Sequence, residues 1–284
     1  MIISVASGKG GTGKTTVATN FAVALADIYK TALLDCDVEE PNAHLFLNID
    51  KRQYNLNEKV FLPVPQIDDK KCVHCGKCLE VCAYHALADI GKKILVFEEL
   101  CHGCGGCSLL CPEGAIIEKN KQIGDIKGCN VKGLDFVFGT LSIGSVMAPP
   151  VIKKVKNHIK QDRLTIIDCP PGTSCPMINA VMKSDFCMLV TEPTPFGLND
   201  LKLAVEVVRE LEIPCGVIIN RSQDGDHIIE KYLASEGIPI LMKIPLDRRY
   251  AASYANGKLL IEDYPDFKAK FIETLKNIEK WVKA

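Results

Sequence analysis

The chain has 284 residues, of which 47% are hydrophobic, and a formal net charge of −1. This length is enough to bury a substantial core in one large domain, with room for a smaller second one. The balanced charge excludes a nucleic-acid binder of the basic type. No apolar run approaches the roughly 20 residues that span a bilayer, and the first residues lack the basic segment of a signal peptide. We therefore expect a cytoplasmic protein.

The segment from Ser7 to Thr16 has the pattern of a phosphate-binding loop. It satisfies G-x-x-x-x-G-K-[ST] and lies between an apolar run and a helical pattern. Glycines let successive backbone N–H groups point at an anion, and the helix that follows adds its positive N-terminal end. In such a loop Lys14 holds the outer phosphates and Thr15 binds Mg²⁺. The alternative is a glycine-rich turn that binds nothing. The predicted nucleotide-binding residues of the loop are Gly8, Lys9, Gly10, Gly11, Thr12, Gly13, Lys14, Thr15 and Thr16.

Apolar runs and helical patterns alternate along most of the chain. The first helical pattern ends near Lys30 and is followed by the run Thr31–Asp37, which carries two acids at its end. Similar runs lie at residues 136–138, 164–168, 186–190, 215–219 and 238–242, and helical patterns lie at residues 151–159, 199–211 and 228–236. Because parallel strands need crossover helices, this alternation predicts a doubly wound α/β domain with a mostly parallel sheet.

The alternation is broken by a repeat that is rich in cysteine. The segments Cys72–Ala86 and Cys101–Ala115 align at an offset of 29 residues and match at all four cysteines. A duplicated unit is the simplest explanation. Cysteine clusters of this kind in a cytoplasmic chain indicate metal binding rather than disulfides.

We expect the repeat to form an inserted domain. The predicted division is residues 1–62 and 121–284 for the sheet domain and residues 63–120 for a ferredoxin-like α+β insert. Its hinges are expected at two prolines and two glycines, namely Pro63, Pro65, Gly124 and Gly128.

Each copy of the repeat has the spacing C-x₂-C-x₂-C-x₃-C of bacterial ferredoxins with two 4Fe-4S clusters. The fourth cysteine of such a run binds the other cluster. The first cluster is therefore assigned to Cys72, Cys75, Cys78 and Cys111. The second is assigned to Cys82, Cys101, Cys104 and Cys107. The alternative is a pair of zinc sites, although zinc sites usually group cysteines as separated C-x₂-C pairs.

Lys9, directly after the first glycine of the loop, makes this segment similar to the deviant Walker A motif of the MinD/Mrp/ParA family of P-loop ATPases. The resemblance covers most of the chain and implies the P-loop NTPase fold of the SIMIBI class. It also implies that Lys9 reaches across a dimer interface to the phosphates of the partner's ATP, and hence a homodimer that forms on ATP binding. The alternative is a solvated loop lysine.

Further segments resemble the nucleotide machinery of the same family. The D-x-D-x-x-x-P-N segment that starts at Asp35 implies that Asp37 orients the attacking water and that Asp35 lies near Mg²⁺. The segment around Asp168 resembles the Walker B motif and second switch, which implies that Asp168 binds Mg²⁺ through water. Asn220 matches a family asparagine that reads the adenine edge, so ATP is the expected nucleotide. The alternative for the first two acids is that they cap the next segment.

Two groups of roles follow from the motif and the resemblance together. The predicted catalytic residues are Lys9, Lys14 and Asp37. The predicted magnesium site consists of Thr15, Asp35, Asp37 and Asp168.

Other features of the chain limit the transfer of function. Mrp-like carriers hold a bridging cluster with a C-x-x-C near the C-terminus, and that motif is absent here because Cys215 has no close partner. Cys169 and Cys175 are expected to be unligated, with a metal role as the alternative. The amphipathic pattern of residues 267–282 favours packing on the sheet, so membrane binding is not expected.

The leading hypothesis is a homodimeric, Mg²⁺-dependent ATPase, slow and coupled to a partner, that assembles or delivers iron–sulfur clusters or related metallocofactors. Its partner would be an acceptor protein or a redox enzyme. The second hypothesis is an ATP-gated, low-potential electron donor similar to the nitrogenase iron protein. The third and least favoured is a positioning ATPase similar to MinD or ParA.

Overall fold

The computed structural model describes residues 1–223 and 227–283. The strands of this part of the chain are β1 (Ile2–Ala6), β2 (Thr31–Asp35), β3 (Leu56–Ile67), β4 (Leu87–Asp89), β5 (Ile94–Val96), β6 (Ile116–Val131), β7 (Leu134–Leu141), β8 (Leu164–Asp168), β9 (Phe186–Thr191), β10 (Cys215–Ser222) and β11 (Ile240–Pro245). Its α-helices are α1 (Lys14–Ala26), α2 (Ala43–Phe46), α3 (Lys77–Val81), α4 (Gly106–Leu109), α5 (Ala148–Lys156), α6 (Cys175–Val181), α7 (Pro195–Glu210), α8 (His227–Ser235), α9 (Arg248–Ala255), α10 (Leu260–Asp263) and α11 (Asp266–Lys283).

A nine-stranded sheet has the order β11-β10-β9-β1-β8-β2-β7-β6-β3. Its strands are parallel from β11 to β7, whereas β6 pairs antiparallel with both β7 and β3. The central strands are buried on both faces, which explains why they read as continuous apolar runs. The predicted mostly parallel α/β fold is confirmed.

Helices cover both faces of the sheet. On one face α1 and α11 pack together, with the rings of Phe21 and Phe271 5.9 Å apart, and on the other face α5, α6 and α7 enclose a second apolar cluster. Phe267, Phe271 and Leu275 of α11 are buried, so the prediction that the C-terminal helix packs on the body of the protein is confirmed. No helix within residues 1–223 and 227–283 is both long and apolar enough to cross a bilayer.

Two strands continue beyond the edge of the sheet and form an arm. Strand β6 pairs with β7 only from Gly124 to Val131, so its earlier residues, Ile116–Gln122, pair with β3 alone, against Phe61–Ile67. We call these two segments the arm. Its seven residue pairs project roughly 20 Å past the end of β7. Residues 68–115, which we call the cysteine-rich segment, connect the outer ends of its two strands.

The prediction of hinges at Pro63, Pro65, Gly124 and Gly128 is wrong, because all four residues lie inside β3 or β6. The prolines are tolerated because β3 is an edge strand, where a missing N–H costs no ladder bond. The glycines are needed for close packing: a Cβ at Gly124 would lie 2.6 Å from the Thr140 carbonyl oxygen, and one at Gly128 would lie 2.8 Å from that of Phe136.

The element ends differ from the predictions in other places. The expected boundaries after residues 62 and 120 lie within β3 and β6, and the division into a sheet domain and an inserted domain stays a prediction. Helix α1 ends at Ala26 rather than near Lys30. Strand β2 ends at Asp35 rather than Asp37, because the Asp35 carboxylate accepts the backbone N–H of Asp37 and turns the chain.

Candidate functional site

The loop and the acids that were expected to act on a nucleotide meet at one edge of the sheet. Asp168 is the register partner of Val5 in β1 and of Asp35 in β2. The ends of β1, β2 and β8 therefore lie side by side, as the rule for ligand sites in parallel sheets requires. Two bonds extend this edge, from the Cys36 N–H to the Asp168 carbonyl (2.8 Å) and from the Cys169 N–H to the Val5 carbonyl (3.0 Å).

The glycine-rich loop is open on one side and packed on the other. Gly11 and Gly13 have φ values of 78° and 95°, which favour glycine. A Cβ at Gly10 or Gly11 would meet nothing within 4 Å, whereas one at Gly8 would lie 2.1 Å from the Asp200 carbonyl oxygen. The loop thus rests on α7 and leaves room for a ligand above Gly10 and Gly11.

Polar side chains of the loop keep ion-pairing and hydrogen-bonding capacity that the described residues do not satisfy. Lys14 begins α1, is only 6% exposed, and forms no ion pair within the described residues. Thr15 is half-buried, and the buried hydroxyl of Thr12 has no hydrogen-bond partner in the described part of the chain. The carbonyl oxygen of Thr16 accepts the side-chain amide of Asn20 at 2.7 Å.

Lys9 differs from Lys14 in its surroundings. Its carbonyl oxygen accepts the Ser7 hydroxyl at 2.5 Å, which fixes the backbone of the loop. The side chain is half-buried, and across residues 1–223 and 227–283 it makes neither a hydrogen bond nor an ion pair. Its ammonium group is therefore available for a group outside this chain.

Asp168 is a buried carboxylate without a partner. It is fully buried, and neither of its oxygens accepts a hydrogen bond from the described residues. Burial raises its pKa to about 7, against smaller opposing effects of the Thr15 hydroxyl and the Lys14 ammonium. A buried charge normally has a partner, so this carboxylate, beside Thr15, fits a Mg²⁺ site.

Asp35 and Asp37 have different environments. The two oxygens of Asp35 accept the backbone N–H groups of Asp37 and Ala43, both at 3.1 Å, so Asp35 holds the segment that carries Asp37. Burial, and then the charge of Asp168, raises the pKa of Asp35. Asp37 is half-buried and faces Lys14, and burial raises its pKa to about 6. Asp37 thus differs from Asp35 in that its carboxylate is only half-buried and lies near the Lys14 ammonium.

Asn220 contacts the loop directly. Its Nδ2 donates to the Thr12 carbonyl at 2.8 Å, and its Oδ1 accepts the backbone N–H of Arg221 at 2.9 Å. A Cβ at Gly13 would lie 2.4 Å from Nδ2. The structure therefore gives Asn220 a part in holding the loop, and its contact with adenine stays a prediction.

The eight clustered cysteines divide into two sets that line two cavities. Cys72, Cys75, Cys78 and Cys111 line one cavity together with Ile67 and Ile116 at the tip of the arm. We call them the distal set. The other cavity, midway along the arm, is lined by Pro63, Pro65 and the proximal set, which consists of Cys82, Cys101, Cys104 and Cys107.

Burial disfavours the thiolate form of three cysteines in these sets. Burial raises the pKa of Cys107 to about 11 and also raises those of Cys78 and Cys101. In the described residues no three His, Cys, Asp or Glu side chains are close enough to bind a single metal ion. The sulfurs of each set surround a cavity instead.

Comparison with known proteins identifies the family. Residues 3–261 match the model of the CobQ/CobB/MinD/ParA nucleotide binding domain. The chain belongs to this family. The fold agrees: the structure of the septum site-determining protein MinD from Pyrococcus horikoshii, solved with Mg-ADP, superposes with a TM-score of 0.62 at 21% identity, over 99% of this chain and 96% of that one.

Relatives of this nucleotide-binding family span nearly the whole chain. An uncharacterized protein of Methanocaldococcus jannaschii is 32% identical over 99% of this chain and 98% of its own length. The iron-sulfur cluster carrier protein of Pyrococcus horikoshii is 27% identical over 98% of this chain and 87% of its own.

Two contacts of this family member escaped prediction from its sequence. The Asp200 backbone packs directly against Gly8. The Asn220 side chain donates to the carbonyl of Thr12, which lies 208 residues earlier in the chain. Both contacts join residues far apart in sequence, and no local pattern signals them. The stacked rings of Tyr84 and His102, 3.4 Å apart beside the proximal set, were also missed.

Proposed function

We propose that this chain is a Mg²⁺-dependent ATPase that assembles or delivers iron–sulfur clusters. The observation that carries the proposal is the division of eight cysteines, four and four, around two cavities on an arm of a nucleotide-binding domain. The name of the Pyrococcus relative, an iron-sulfur cluster carrier protein, supports it.

The nucleotide would bind over the open side of the glycine-rich loop. Lys14 would neutralise its outer phosphates, and the unpartnered Asp168 with Thr15 would hold Mg²⁺, which screens the charge on the phosphates. Asp37, half-buried opposite Lys14, would orient the attacking water, while Asp35 positions the segment that carries it. Asn220 would face adenine beside the loop.

ATP binding would join two copies of the chain. The absence of a partner for the Lys9 side chain among the described residues supports a contact with the partner's nucleotide. Phe196, at the start of α7 near the loop, is 78% exposed, and burial of such a side chain favours association. The homodimer would therefore form across the nucleotide face.

The geometry of the cysteine sets favours four-iron clusters over zinc. A tetrahedral zinc ion draws its four sulfurs close together, whereas each thiolate of a four-iron cluster binds a separate iron. The cysteines of each set line a cavity rather than a single point. Cys72, Cys75, Cys78 and Cys111 would hold one 4Fe-4S cluster. Cys82, Cys101, Cys104 and Cys107 would hold the other.

Cluster transfer tests this function. Anaerobically purified chain, reconstituted with iron and sulfide, is mixed with an apo-ferredoxin, and the 4Fe-4S absorbance of the separated acceptor is measured with and without MgATP. We expect transfer, and we expect MgATP to change its rate in the native chain but not in Lys14→Ala. Absence of transfer under every nucleotide condition would refute the proposal.

Transfer of electrons is the second candidate. The two sets lie one after the other along the arm, an arrangement that suits a relay. This function predicts that MgATP lowers the midpoint potential of a bound cluster, which potentiometric titration with EPR detection measures. An unchanged potential together with cluster transfer would leave delivery as the function. The likeness to MinD concerns the fold alone and gives no reason to propose a positioning role.

A further inference from the structure

The two cysteine sets differ in how they are attached to the rest of the molecule. The proximal loop, residues 101–108, is fixed to the arm by a close contact and a hydrogen bond. A Cβ at Gly103 would lie 2.7 Å from Leu62 Cδ1, and the Ser108 hydroxyl donates to Glu118 at 3.1 Å. Lys121 of the arm also pairs with Glu98, just before this loop, at 3.1 Å.

The distal loop, residues 70–78, has no hydrogen bond or ion pair to the side of the arm among the residues that the structure describes. His74, the repeat equivalent of Gly103, contacts Asp89 of the β4–β5 hairpin at 3.1 Å. The backbone N–H of Cys72 donates to the Asp68 carbonyl, and the N–H of Asp68 donates to Ala115 at the tip of the arm. Distal contacts thus stay within the cysteine-rich segment and the tip, about 10 Å further out than the proximal ones.

The foot of the arm is bonded to the segment that follows Asp37. The carbonyl oxygen of Val38 accepts the backbone N–H of Leu141 at 2.7 Å, and the next N–H, that of Ser142, donates to Ile123 at 2.8 Å. Ile123 is the unpaired residue of a bulge in β6, located where the arm leaves the sheet. Two consecutive backbone bonds therefore join Val38 to this foot.

Close packing makes this connection stiff. A Cβ at Gly139 would lie 2.8 Å from Val38 and 2.9 Å from Val151, so Val38 is seated tightly against β7 and α5. Val38, Ile123, Leu62, Val64 and Cys101 belong to one buried apolar cluster. A shift of Val38 cannot be absorbed by empty space.

We propose that the two cysteine sets have different tasks, with the proximal set responding to the nucleotide through Val38, Ile123 and the arm, and the distal set insulated from it. This inference rests on the proposed function. Asp37, directly before Val38, lies near Lys14, where the terminal phosphate of ATP would lie, so exchange of ATP for ADP would displace Val38. The displacement passes to the bulge and ends at the proximal loop.

Hydrogen–deuterium exchange of the cluster-loaded chain, measured anaerobically with MgADP and with Mg²⁺ and a non-hydrolysable ATP analogue, tests this inference. Peptides covering the arm foot (residues 120–124) and the proximal loop (residues 101–108) should change their exchange rates about threefold or more between the two states. Peptides of the distal loop (residues 70–78) should not change. Equal changes at both loops, or no change at the proximal loop, would overturn it.

Two adjacent proline substitutions provide a matched control. Ser142→Pro removes the N–H that donates to Ile123. Ile143→Pro alters the second position of a turn closed by the Ser145 N–H at 3.0 Å, where Gly144 has φ of 82° and proline is well tolerated. The nucleotide response of the proximal loop should disappear in Ser142→Pro and persist in Ile143→Pro. Persistence in both would overturn the proposal.

A second variant covers the case in which Ser142→Pro does not fold. Glu118→Ala removes the acceptor of Ser108 in the proximal loop, and Lys119→Ala, at the next position of the arm, is the control. The response at the foot should remain in Glu118→Ala while that at the proximal loop falls. If the chain hydrolyses ATP and transfers clusters but both loops respond equally, only this inference fails. If it binds neither nucleotide nor cluster, the proposed function fails with it.

Discussion

The nucleotide edge and the cysteine-rich segment are built in opposite ways. Asp35 and Asp168 stand at the ends of strands that are buried along their whole length, and Lys14 begins a helix with nine buried residues. Helices α3 and α4, which carry cysteines of both sets, have no buried residue. Core packing therefore positions the first site, and little packing positions the second.

This difference means that the two sites obtain their order from different sources. A segment of this size that buries few large side chains is normally held by a metal or a disulfide, and all fourteen cysteines are free thiols in the structure. The nucleotide site is preformed, whereas the proposed function implies that the cysteine-rich segment would depend on its clusters for stability.

Removal of iron should give the largest effect. We expect a strong chelator to raise the exchange rates of residues 68–115 by about 100-fold or more. The central strands β1, β2, β8 and β9 should stay protected, because they pair only with strands of the parallel part of the sheet. Mass spectrometry after hydrogen exchange measures both regions in one sample. Equal loss of protection in the sheet would show that the two regions form one folding unit.

Asp168→Asn should separate activity from stability in the preformed site. Loss of the carboxylate that fits Mg²⁺ should lower ATP hydrolysis about 100-fold or more. The same change removes a buried charge without a partner, so the free energy of unfolding should rise by about 0.5–2 kcal/mol. Steady-state ATPase assays and urea denaturation measure the two effects. Asp162→Asn, an exposed acid just before β8, should change neither.

The sequence predicted the buried parallel strands and the position of the glycine-rich loop better than it predicted strands β3 and β6. The buried strands of the parallel sheet read as apolar runs, and the P-loop motif lies at the end of the first one. Strands β3 and β6 were not predicted, because one face of each is exposed and their patterns contain Pro63, Pro65 and Gly124. These residues are common in turns, and only the position of β3 at the sheet edge and the close packing of Gly124 explain them.

Long-range contacts were equally invisible to local reasoning. The approach of Asp200 to Gly8 and the bond from Asn220 to Thr12 depend on strand order, which alternation of elements alone does not determine. The repeat, by contrast, predicted which cysteines would share a cavity, because the ferredoxin spacing already includes the exchange of the fourth cysteine. Whether each cavity holds a cluster stays a prediction.

Alanine substitutions at Gly124 and Gly10 compare a glycine in closely packed backbone with one in open backbone. Gly124→Ala forces a Cβ against the Thr140 carbonyl and the Val151 side chain, so it should lower the free energy of unfolding of the sheet by about 1–3 kcal/mol. Gly10→Ala meets no neighbour and should change it by less than about 0.5 kcal/mol, while weakening nucleotide binding. Urea denaturation and calorimetric titration with ATP distinguish the two. Equal stability of both variants would contradict the packing argument.

The smallest effect is expected from an acid that organises a loop in the cysteine-rich segment. The Asp89 carboxylate accepts the Gly91 N–H at 2.7 Å and contacts His74, much as Asp35 accepts the N–H groups of Asp37 and Ala43. Asp89 is exposed and solvent screens its ion pair, so Asp89→Asn should shift the thermal midpoint of the cluster-loaded chain by less than about 2 °C.

Asp35 is fully buried, and Asp35→Asn should lower the midpoint by about 4 °C or more. The proposed function implies that clusters rather than side-chain pairs hold the segment around Asp89, so the order of these two shifts tests the source of its stability. A larger shift for Asp89→Asn would mean that its own contacts, and not the metal, give that segment its order.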